Sequence, residues 1–386
     1  MKRLLPCLLA AAVLLSGCSI FGGGAKPVAQ PASLKPLKSV RVQAHILWRH
    51  GVGDGTRGLR YHGLRVAGAH GTVYAMDPDG LVSAFRANGK AVWRHETGLR
   101  LSSGPAVVGD TVVVGSLSGK VMALARSDGH ELWHQTVSSA VLAPAAGAGG
   151  VTVVRSADGR FFAMGTDSGK RLWNYDSHVP RLSVRGESMP EVADGLVFAG
   201  TDGGKVIALT LKDGKLAWNQ TAQLPTGRTE IERLVDVDAD LAIGGGRVFA
   251  ASYGGELAAV SSQGGRLLWK RKIGSDTGLA ARGGKVFVTT KHGNVMALDA
   301  STGNTVWKQD GLHDRGVTQP VFDGPWLVVA DRFGYVHWLA VDSGKIVGRL
   351  EVDGHGIQAP PMVMGDHLYV LSEAGRLSAV AAQPSG

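Results

Sequence analysis

The sequence predicts an all-β chain: one eight-bladed β-propeller whose ring is closed by its own N-terminal strand. Three observations predict it. A fixed spacing of alanine, glycine and tryptophan recurs at intervals of about 40 residues, the length of one propeller blade. Between those marks lie short, β-branched, apolar runs bounded by Gly, Asp and Ser, the pattern of strands joined by tight turns. Nothing reads as a long amphipathic helix, and 56 glycines suit a chain with so many turns.

The chain starts with a targeting segment. Lys2 and Arg3 precede the apolar stretch Leu4 to Leu15. That stretch is shorter than the roughly 20 apolar residues of a membrane-spanning helix. It has the form of a secretory signal over residues 1–17. Leu15-Ser16-Gly17-Cys18 follows, an apolar residue, two small ones and a cysteine. This is similar to the lipobox of bacterial lipoproteins, which implies that Cys18 becomes the acylated first residue. An ordinary cleaved signal followed by a free cysteine is the alternative. In enteric-type lipoproteins an aspartate after the cysteine retains the protein at the inner membrane, so Ser19 implies the outer one. Cys7 falls in the removed segment, so the mature part forms no intrachain disulfide and depends on its own core.

Without residues 1–17 the chain has 369 of its 386 residues, and losing Lys2 and Arg3 lowers the formal charge from +9 to +7. That excess suits an anionic membrane surface or an acidic partner. It does not suit nucleic acid, because the basic residues are scattered rather than clustered. No other stretch could span a bilayer, so the expected attachment is an anchor and not a crossing. Residues 18–44 read as the lipidated N-terminus and a flexible tether. Phe21-Gly22-Gly23-Gly24, Pro27, Pro31, Pro36 and three lysines offer no apolar face to bury.

The propeller is expected over residues 45–382. Ala123, Ala163, Ala208, Ala259 and Ala297 each stand ten residues before a tryptophan, with a glycine four before it. Ala84, Gly89 and Trp93 keep the plan with one residue fewer. The Asn88-Gly89, Asp128-Gly129 and Asp213-Gly214 pairs tolerate positive φ and mark tight hairpins. Trp93, Trp133, Trp173, Trp218, Trp269 and Trp307 mark six blades. A seventh unit carries Trp338 in the alanine place and Gly348 in the tryptophan place, an exchange that conserves volume. The eighth unit, His367 to Val380, stops before a final strand. Ala44 to Arg49, with Trp48, supplies it from the other end and removes the open edges of the ring. Seven blades is the competing count.

Catalytic signatures are missing. His130 and His134 bracket a hairpin and a strand rather than a helix turn, and His50, His62, His70 and His313 lie singly in loop-like segments. Metal ligation needs several convergent donors, so no metal is expected. No nucleophile elbow or phosphate loop occurs, and runs such as Gly244-Gly245-Gly246 are turns. The alanine–glycine–tryptophan repeat resembles that of pyrroloquinoline-quinone enzymes. Those add a calcium site, a catalytic aspartate and commonly a Cys-Cys pair in a longer chain. The mature part here has a single cysteine and no comparable insertions. A quinone-dependent periplasmic dehydrogenase therefore stays an alternative, as does an unrelated binding propeller. The expectation is a protein without cofactor and without catalysis.

Function on a repeat scaffold sits where the repeat breaks. Trp93 to Ala123 and Trp133 to Ala163 each span 30 residues, but Trp173 to Ala208 spans 35 and Trp218 to Ala259 spans 41. The two overlong connections belong to consecutive blades and should lie side by side. Their apolar residues interleaved with arginine and carboxylates are what an interface needs, although solvated loops would look alike.

The segments Leu182-Ser183-Val184-Arg185-Gly186-Glu187-Ser188 and Thr226 to Asp238 resemble two signature segments of the BamB family, the propeller lipoproteins of the outer-membrane β-barrel assembly machinery. With the lipobox, tether and eight units, the resemblance covers essentially the whole chain. It implies docking on periplasmic domains of the barrel-forming subunit BamA. Leu182 and Val184 would be apolar anchors, Arg185 a charge-assisted donor, and Asp236 and Asp238 acceptors. Val184 departs from the leucine more usual there and preserves the apolar contact. Arg185 could instead hold Asp236 or Asp238 within this chain. Direct contact with nascent outer-membrane proteins stays open.

Overall fold

The computed structural model describes residues 30–56, 63–177, 188–225 and 234–385. Its compact unit begins at Pro31. Eight antiparallel sheets of four strands follow one another along the chain. Blades one to seven occupy residues 67–96, 101–136, 146–176, 191–221, 242–271, 279–309 and 321–351. In each, the first strand is innermost and the fourth is outermost. The second and third strands are buried almost throughout, because both their faces meet neighbouring blades. Ala199 and Ile207 of blade four are typical. The outer strands alternate, and in Arg171–Asp176 only Trp173 is fully buried.

Blade eight is made from both ends of the chain. Its outer strand Val42–Gly51 pairs antiparallel with the last strand, Arg376–Pro384, in a register that sets Trp48 opposite Ala379. The strand starts at Val42, three residues before the expected propeller boundary, and carries His50. His50 is therefore not a loop residue: it stacks on Phe85 at 4.8 Å, and its Nε2 lies 2.7 Å from the Gly89 carbonyl oxygen. The ring is closed by pairing, as the sequence predicts.

The repeat marks have a division of labour. Within a blade, the alanine faces the tryptophan across the strand pair, as in Ala163–Trp173 and Ala208–Trp218. The glycine serves the preceding blade. A Cβ on Gly169 would stand 2.6 Å from Trp133, and one on Gly214 2.5 Å from Trp173. Each indole N–H then donates to a carbonyl of that next hairpin. Seven such bonds of 2.7–3.1 Å run from Trp48, Trp93, Trp133, Trp173, Trp218, Trp269 and Trp307. A large flat side chain thus buries its area and satisfies its one polar atom between blades.

Blade seven keeps the expected exchange. Trp338 is 0% exposed, faces Gly348 across the strand pair, and donates its indole N–H to Asp323 Oδ2 at 2.9 Å. The exchange has a cause in the closure. Blade eight takes its third and fourth strands from opposite chain ends, so it offers no hairpin glycine to receive an indole. In its place the chain arrives: Arg41 N donates to the Val347 carbonyl, and a Cβ on Gly348 would stand 2.7 Å from Val42 Cβ.

The tether expected to reach residue 44 is shorter than that. Ala32 is buried, its N–H donates to the His313 carbonyl, and its own carbonyl accepts from Arg315 Nη1 at 3.0 Å. Arg349 Nη1 holds the Lys35 carbonyl at 3.0 Å, and Leu34 packs beside Trp307 and Leu312. Composition marks this stretch as polar, but two small apolar side chains and two arginine donors are enough to fix its backbone on blades six and seven. Arg315 is oriented by Asp331, which also lies 3.0 Å from the buried His337.

Candidate docking face

In every blade the inner strand starts, and the outer strand ends, on the same side of the ring, as four antiparallel strands require. The connections between successive blades therefore all lie on one face. The longest are 52–66, 177–190 and 222–241. The last two are the pair expected from the spacing. The first follows the strand of Trp48, which belongs to the last blade, so the count from Trp93 onward passes over it. The distance of 36 residues from Trp48 to Ala84 was the signal that could have found it.

Cys18, Leu182, Val184, Arg185 and His62 lie outside the described residues, and so does the segment 226–233. Asp236 and Asp238 lie within them. Around these two, aliphatic and acidic residues alternate, and Val235, Val237, Ala239 and Leu241 are all buried. Val237 and Leu241 join a core that includes Phe198 and Trp218 of blade four and Val248 of blade five. The backbone is held on both sides, by Val237 N donating to the Thr201 carbonyl and by Tyr253 N donating to the Asp236 carbonyl. Anchoring of the aliphatic residues draws the carboxylates in as well: Asp236 is 1% exposed, and Asp238, half-buried as a residue, has both carboxylate oxygens buried. Of the two roles left open for Asp236 and Asp238, burial favours one within this chain for both.

The ends of all three long connections meet at the mouth of the ring. Asp240 Oδ1 accepts from Met189 N at 2.9 Å, and its Oδ2 pairs with the Arg65 guanidinium. Glu191 stands nearby, half-buried at the start of blade four. Burial first, then the Asp240 charge, push its carboxyl up to about 7, while the Arg65 charge opposes the rise. Neither Arg65 nor Glu191 stands out in the sequence, because nothing local marks residues whose neighbours at the mouth are distant in the chain, 175 positions for Arg65 and Asp240.

Among the described residues no group of His, Cys, Asp and Glu could hold a metal. His130 and His134 are exposed and pair with Asp128 and Glu131 beside them. His70 sits at a hairpin with positive φ, and His313 is exposed in a turn.

Against known proteins, the sequence profile described as outer membrane protein assembly factor BamB matches residues 69–309 and 310–384. The chain belongs to the BamB family. BamB of Alkalilimnicola ehrlichii is 42% identical over 378 residues, covering 96% of this chain and 95% of that one. BamB of Escherichia coli K12 is 36% identical over 392 residues, covering 98% of each. The crystal structure of BamB from Moraxella catarrhalis superposes with a TM-score of 0.80 at 27% identity, covering 88% of this chain and 100% of that one. A europium-containing methanol dehydrogenase also shares the ring, with a TM-score of 0.72 at 12% identity over 88% of this chain and 93% of that one. That likeness is one of fold alone. As a BamB-family member the chain is a factor in outer-membrane protein assembly and not an enzyme. Among its described residues, no helix is long and apolar enough to cross a membrane.

Proposed function

We propose that this BamB-family chain is a lipid-anchored scaffold on the periplasmic side of the outer membrane. It docks on the periplasmic domains of a BamA-like subunit through the face that carries the long connections. The observation that carries the reading is the Met189–Asp240 hydrogen bond, which joins the ends of the two connections that the sequence marked as irregular. A surface made by two neighbouring blades acts as one patch toward an anchored partner domain. Leu182 and Val184 supply its apolar contacts and Arg185 its oriented donor. Asp236 and Asp238, with carboxylate oxygens buried, work inward and hold the connection that presents this patch. Cys18 carries the lipid, and the chain between it and Pro31 is the tether.

Capture of the purified periplasmic part of the barrel subunit tests this. Leu182→Ala and Arg185→Glu should each weaken capture at least tenfold, while Leu132→Ala on an outer strand should leave it unchanged. Equal capture by wild type and Arg185→Glu would place the interface elsewhere. A Cys18→Ser variant should move from the membrane to the soluble periplasmic fraction.

A further inference from the structure

Arg65 closes the connection 52–66 just before the inner strand of blade one. Its Nη2 pairs with Asp240 Oδ2, and its Nη1 donates to Gln319 Oε1 at 3.1 Å. Gln319 in turn donates Nε2 to the Leu279 carbonyl at 2.9 Å. The Arg65 backbone N–H donates to the Gly104 carbonyl at 2.9 Å. Asp240 leads into blade five and Gln319 into blade seven. In a ring of eight, blade five is opposite blade one, so this side chain reaches across the axis at the mouth.

Asp240 is where the three connections are tied. Its side chain is 3% exposed, and that of Arg65 is 17% exposed. One carboxylate oxygen takes the Met189 N–H from the connection 177–190, and the other takes the guanidinium from 52–66. Asp240 itself ends the connection 222–241 and bridges to Gly278 at the edge of blade six. We infer that the Arg65–Asp240 pair positions the ends of the three long connections and so sets the shape of the docking face. The functional half of this inference rests on the docking reading above; the structural half does not.

The test is hydrogen–deuterium exchange on the full mature protein, followed over residues 188–200 and 234–248. Arg65→Met should raise exchange at least tenfold in both segments and leave blade two unchanged, and Arg65→Lys should restore part of the protection. Asp240→Asn is the milder variant: it keeps an acceptor for Met189 and loses the ion pair. It should speed exchange in 234–248 more than in 188–200. Capture of the barrel subunit's periplasmic part should weaken in Arg65→Met and recover in part in Arg65→Lys. Unchanged exchange in both segments in Arg65→Met, with the melting temperature held, would overturn the inference. Raised exchange with capture unaltered would keep the tie and overturn the docking reading.

Discussion

A hairpin glycine shaped by the preceding blade's tryptophan makes a quantitative prediction. Gly169 has φ of +65°, and a Cβ there would stand 2.6–2.8 Å from Trp133 Cδ2, Cε3 and Cγ. Gly195 has a similar φ of +74° with open space around it. Gly195→Ala should thus cost only the left-handed backbone penalty, about 1–2 kcal/mol. Gly169→Ala adds displacement of a buried indole, a further 1–3 kcal/mol or so by the usual range for overpacking. Removing the indole separates the two costs. Trp133→Ala alone should cost about 3–5 kcal/mol. In that background Gly169→Ala should fall back to about 1–2 kcal/mol, the backbone part alone. Urea unfolding midpoints at constant slope would measure all four variants. Equal destabilisation by Gly169→Ala and Gly195→Ala, or full additivity with Trp133→Ala, would refute the account of the glycine.

Three further outcomes follow from the closure and the docked N-terminal segment. Trp338→Ala should destabilise by about 3–5 kcal/mol, and Gly348→Trp by about 1–3 kcal/mol through displacement of Val42; thermal unfolding measures both. Deletion through residue 51 strips the outer strand from blade eight and exposes the Arg376–Pro384 edge, so the shortened protein should associate on gel filtration where the full chain does not. Arg315→Ala or Arg349→Ala frees the backbone at Ala32 or Lys35, and trypsin should then cleave after Lys38 several times faster (Lys35 precedes a proline and is not a site), as read by mass spectrometry.

Much of the fold is local information. The alanine–tryptophan spacing and the Asn-Gly and Asp-Gly pairs each report on a single hairpin, so the blades and their number were legible one repeat at a time. The exchange at Trp338 and Gly348 was legible too, because volume must be conserved across a strand pair. Its cause was not. That required knowing that blade eight has no hairpin and that Val42 arrives where an indole would otherwise lie.

The tether and the mouth of the ring show the opposite situation. Pro and Lys composition described residues 31–41 as polar, and it was right about the side chains. What fixes that stretch is its backbone carbonyls, held by arginines some 280 to 314 positions away. Asp240 carries no local mark either. It matters because ring closure sets Arg65 across from it and Met189 beside it. The sequence by itself determined the repeating strands, the ladder of tryptophans and the two overlong connections, since these depend on neighbours within one blade. Only the tertiary structure decided which residues tie those connections together, because closing a ring brings together groups whose proximity no spacing along the chain encodes.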